Sequence, residues 1–100
     1  MSELHIVPLL EYLQKIKVVG PASDTSSATV VSRGYNSLIL RYLPFGHRIP
    51  DYFTIVRSSR QYYRVDAFLY DAEGTILNGQ VIHKRYRSHI LVADFIRALI

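Results

Sequence analysis

Apolar residues at Ile6, Leu9, Leu10, Leu13 and Ile16 recur at the spacing of one helix face. Glu11 and Lys15 stand four apart in the order that supports a helix. Pro8 is tolerated only in a first turn, so the helix is predicted from about Val7 to Lys17. At the other end, Ser88 is an N-cap candidate. The run HILVADFIRALI follows it without glycine or proline, which predicts a C-terminal helix.

Between the two helices the period changes. Residues 20–29, GPASDTSSAT, are small, polar and turn-rich, and read as a mobile loop too short to divide the chain into two domains. Strand-like runs follow at 28–33, at 38–43 (ended by Pro44), at 52–57, at 61–70 and at 75–86. The stretch PFGHRIPD at 44–51 is a loop bracketed by prolines. The expectation is a single small α+β domain over 1–100: an N-terminal helix, a four- or five-stranded, mostly antiparallel sheet and a C-terminal helix. Both helices should lie on one sheet face, the one carrying Val65, Ala67, Leu69, Leu77 and Val81.

The sharpest local signal is Tyr70-Asp-Ala-Glu-Gly-Thr75. Asp71 opening a type I turn and Gly74 in the left-handed position make a three-residue hairpin loop, which sets Asp71 opposite Thr75. Counting outward, Leu69 faces Leu77, Ala67 faces Gly79, Val65 faces Val81 and Tyr63 faces His83, a largely apolar set. The opposite face then presents Arg60, Tyr62, Arg64, Lys84 and Tyr86 away from the turn, with Phe68 and Tyr70 nearer to it. Because the pleat has period two, a bulge at Gly79 would invert part of this assignment.

The C-terminal helix carries more apolar surface than one contact needs. From Ile90 to Ile100 only Asp94 and Arg97 are polar. A surface helix needs an apolar stripe roughly 100° wide, and this one is wider. Either the first helix shelters the other flank, or the surplus is covered by a second molecule, as in a homodimer through residues 90–100.

Composition narrows the class of molecule. The chain has 100 residues, 49% of them apolar, with no cysteine and no tryptophan. That suffices for one core and excludes disulfides, thiolate ligands and cysteine nucleophiles. It fits a reducing, cytoplasmic setting. No apolar run approaches the roughly 18 residues of a membrane span, and the N-terminus has no signal-peptide layout, so no membrane is expected. Twelve Lys+Arg against eight Asp+Glu leave a net charge of +4. Arginine outnumbers lysine nine to three and there are eight tyrosines, the two residue types that most often anchor binding surfaces.

No catalytic motif accompanies this pattern. His5, His47, His83 and His89 are scattered, without metal-ligand spacing. There is no nucleophile elbow, phosphate-cradling glycine loop or dinucleotide fingerprint. No cofactor or metal is expected, and no enzyme. The expected function is a protein-interaction module of inhibitor or adaptor type, docking Arg60, Tyr62, Arg64, Lys84 and Tyr86 on an acidic partner surface. The alternative is nucleic-acid binding by the same face, with cations on phosphates and rings on bases. A third reading, a small ribonuclease-type toxin, would use His83, Lys84, Arg64 and Tyr86. The plain alternative is an amphipathic solvent face whose arginine stems cover the rings.

Overall fold

The computed structural model describes residues 5–21, 23–24, 26–58, 61–76 and 82–100. Helix α1 (Val7–Lys15) is followed by strands β1 (Thr29–Arg33), β2 (Ser37–Tyr42), β3 (Asp51–Arg57), β4 (Tyr63–Phe68) and β5 (Ile82–Tyr86), then helix α2 (His89–Leu99). The strands form one antiparallel meander in the order β1-β2-β3-β4-β5. This is the α+β arrangement expected from the sequence.

Both helices start and stop for local reasons. Proline occupies the first turn of α1, where its missing N–H costs nothing. The helix ends as Lys17 turns left-handed at φ 62°, with Lys17 N donating to Gln14 O (3.1 Å) and Val18 N to Leu13 O (2.9 Å). These are the paired bonds of a Schellman ending. For α2, the Ser88 hydroxyl accepts from Leu91 N at 3.2 Å, as its sequence position suggested.

The core lies between the helices and one sheet face. Leu9 and Leu13 of α1, and Val92, Ala93 and Ile96 of α2, join Leu38, Leu40, Phe53, Ile55, Val65 and Ala67 in one cluster. Alternation does the sorting: along β2, β3 and β4 every second residue is buried, and its neighbours turn the other way. Leu69 is also buried on this side, while Leu77 and Val81 fall outside the described residues. The loop at 20–29 is tied at both ends, since Gly20 N donates to Ala28 O and Ala28 N to Val18 O.

The 70–75 turn forms as its chemistry dictates. Asp71 N donates to Thr75 O (2.9 Å), the Asp71 carboxylate accepts from Glu73 N and Thr75 N, and Gly74 has φ 87°. Tyr70 pairs with Ile76 as counted from the turn. The register expected beyond this point is overturned. Tyr63 pairs with Tyr86, Arg64 with Arg85, Val65 with Lys84, Asp66 with His83 and Ala67 with Ile82. From Tyr70 to Ala67 the chain moves three positions, while from Ile76 to Ile82 it moves six. The surplus of three is odd, so β5 presents the opposite face from the one counted.

A physical preference accompanies the slip. The counted register would set the His83 imidazole opposite Tyr63 on the core side. The observed one puts Tyr86 there, with its ring centroid 5.5 Å from that of Phe95 on α2, and turns His83 out to solvent.

Candidate docking surface

The sheet face away from the helices is built from the alternate positions of four strands. Ile39 and Arg41 of β2 pair with Thr54 and Tyr52 of β3, and Val56 of β3 pairs with Arg64 of β4. Thr54 and Tyr52 pair in turn with Asp66 and Phe68, and Arg64 and Asp66 with Arg85 and His83 of β5. The result is a half-buried floor of Ile39, Tyr52, Thr54 and Val56, crossed by exposed Arg41, Arg64, Arg85 and His83. Directly paired Tyr52 and Phe68 add an aromatic corner, with Phe68 37% exposed.

Asp66 organises the cationic end. One carboxylate oxygen is hydrogen-bonded to His83 Nδ1, and the other lies 3.7 Å from Arg64 Nε. The three side chains differ in accessibility: Asp66 is 17% exposed, Arg64 53% and His83 71%. The acid is thus a recessed pivot under two outward side chains, one of them the Arg64 guanidinium. A depression of about 410 Å³ is lined by Arg64, His83, Lys84 and Arg85.

The five residues expected to share one binding face are not brought together. Arg64 is on the bare face. Tyr62 precedes β4 and is half-buried. Lys84 and Tyr86 pair with Val65 and Tyr63 and therefore lie on the helix side. Lys84 is exposed at the margin of that side, and Tyr86 packs on the core, where burial raises its phenol pKa above the ordinary value. Arg60 lies outside the described residues.

The ribonuclease-type set is divided in the same way, His83 and Arg64 on one face and Lys84 and Tyr86 on the other. The remaining histidines stand apart, with His5 beside Tyr35 and His89 edge-on to Tyr12. Among the described residues no group of three or more His, Cys, Asp or Glu is placed to hold a metal ion.

Counting from the turn missed Arg85, Arg41 and Tyr52. The latter two were legible: Leu38 and Leu40 facing inward require Ile39 and Arg41 to face outward, and Phe53 and Ile55 do the same for Tyr52 and Thr54. Phe45 was also missed. It stands fully exposed in the proline-bracketed loop between β2 and β3, next to Gly46 at φ 84°.

Helix α1 and the sheet take up most of the apolar excess of α2. Val92, Ala93 and Ile96 are buried, and Phe95, Leu99 and Ile100 pack against the core. A homodimer through this helix would be built on Ile90 (48% exposed) and Leu91 (46%). No described helix is long and apolar enough to cross a membrane.

No protein-family model, curated protein or solved structure matches the chain.

Proposed function

We propose that the protein is a non-catalytic interaction module that docks its bare sheet face on an acidic surface of a partner protein. One observation carries the reading: a five-stranded sheet has both helices on one side, and its other side sets Arg41, Arg64 and Arg85 over a floor of Ile39, Tyr52, Val56 and Phe68. An apolar centre crossed by arginines is the composition of a docking surface rather than of a purely solvated face.

A protein partner is favoured over a nucleic acid by Tyr52. The Tyr52 ring is half-buried in the pleat, where a stacking platform would stand free.

The test compares the wild-type chain with an Arg41→Glu/Arg64→Glu variant, each immobilised and exposed to nuclease-treated host extract. The reading expects a defined protein retained by the wild type, lost by the variant and still bound at roughly half-molar salt. Capture of no protein, together with binding of an added single-stranded oligonucleotide with a logarithmic salt slope near −0.7 per phosphate contacted, would replace it with the nucleic-acid alternative.

A further inference from the structure

We infer that β5 is an acceptor edge: an extended acidic segment of the partner pairs with its outer side and becomes a sixth strand of the sheet. The inference rests on the acidic-partner reading above and adds which part of the partner is recognised and how.

The backbone supplies the first argument. β5 is the last strand of the sheet, and among the described residues nothing pairs with its outer side. Its five pairs with β4 run without a register shift, so no bulge interrupts the row of outward backbone groups. The opposite edge differs. There the register shifts between Val30 and Ser32, an irregularity that breaks the row of outward backbone groups.

Charge supplies the second. His83, Lys84 and Arg85 are consecutive and all exposed, and exposed Arg87 follows Tyr86. The pleat turns His83 and Arg85 to the bare face and Lys84 to the helix side, so a neighbouring strand would meet cations on both of its faces. Arg64 stands behind Arg85 in the next row and shares the depression with His83, Lys84 and Arg85.

These charges decide the occupant. A second copy pairing antiparallel about Lys84 would set Lys84 against Lys84, which like-charge repulsion disfavours. An acidic extended segment meets attraction at the same positions. Main-chain hydrogen bonds then give affinity, and the cations on either side give selectivity. A segment seated there would continue the sheet, bringing the rest of the partner over Arg64 and Arg85.

The test uses the isotope-labelled full chain and a capped Thr-Glu-Val-Glu-Glu-Val-Glu-Thr peptide as probe. Two control peptides of the same sequence and charge are N-methylated at alternate backbone nitrogens, one for each alternate set. Saturable binding, slowed amide exchange within residues 82–86 and at least about tenfold weaker binding of one N-methylated peptide are expected. Lys84→Glu/Arg85→Glu, at two exposed positions, should abolish binding while leaving the far-UV circular dichroism unchanged. Equal binding of all three peptides without slowed exchange on β5, or no saturable binding, overturns the inference. Arg41→Glu, three strands from β5, separates it from the docking reading: loss of the captured partner in that variant keeps open-face docking even when the peptide result fails.

Discussion

Tyr63 and Tyr86 lie opposite one another on the helix-covered side of the sheet, one buried and one half-buried against Phe95. This pairing separates two tyrosines that count equally toward a binding face in a sequence reading. Tyr86→Ala removes a ring that packs on α2, and an expected loss of about 1–3 kcal/mol follows from the apolar area uncovered. Tyr62→Ala should cost less, since Tyr62 precedes β4 and does not belong to the core cluster. Urea unfolding of both variants checks the order, and a larger loss for Tyr62→Ala would contradict the placement.

The end of α1 offers a second test. Lys17 holds a left-handed conformation that a side chain makes costly, and its N–H and that of Val18 complete the helix ending. Lys17→Gly keeps both bonds and relieves the strain, so stability is expected to rise by about 0.5–1 kcal/mol. A destabilised variant in thermal unfolding would show that the lysine side chain matters more than the backbone geometry.

Asp51 opens β3 with only 5% of its surface exposed, and its carboxylate accepts from Tyr70 N at 2.8 Å. Desolvation raises its pKa above the ordinary carboxylate value, against the opposing pull of the Tyr70 bond and of His47. The folded chain therefore favours the protonated acid. The stability contributed by Asp51 is full below the unfolded pKa and is lost as pH rises through the higher folded value. Asp51→Asn cannot ionise and can still accept from Tyr70. It should be more stable than wild type at neutral pH, with the gap closing in acid. A gap that widens as pH falls would reverse the sign of this account.

The fold was legible where local chemistry and burial agree. Pro8 and Ser88 mark helix starts, Pro44 and Pro50 bracket the β2–β3 loop, and the alternation of Leu38, Leu40, Phe53 and Ile55 sorts the two sheet faces. The candidate site was only half legible. Asp71 and Gly74 determine the turn and the Tyr70–Ile76 pair, but turn geometry governs only the first pairs of a hairpin. Further out, pairing follows long-range contacts: Tyr86 with Phe95 on α2, and His83 with Asp66 on the bare face. Neither partner is visible to a count that starts at the turn. The three-residue slip therefore exchanged Arg85 and His83 for Lys84 and Tyr86 on the exposed side.

The β4–β5 register bears on every docking claim, because it determines which cations stand over the bare floor. Cross-strand nuclear Overhauser contacts between backbone protons of these two strands measure it in solution. Contacts linking Tyr63 with Tyr86, Val65 with Lys84 and Ala67 with Ile82 are expected. Contacts linking Tyr63 with His83 and Arg64 with Ile82 would return Lys84 and Tyr86 to the open side and contradict the surface described above.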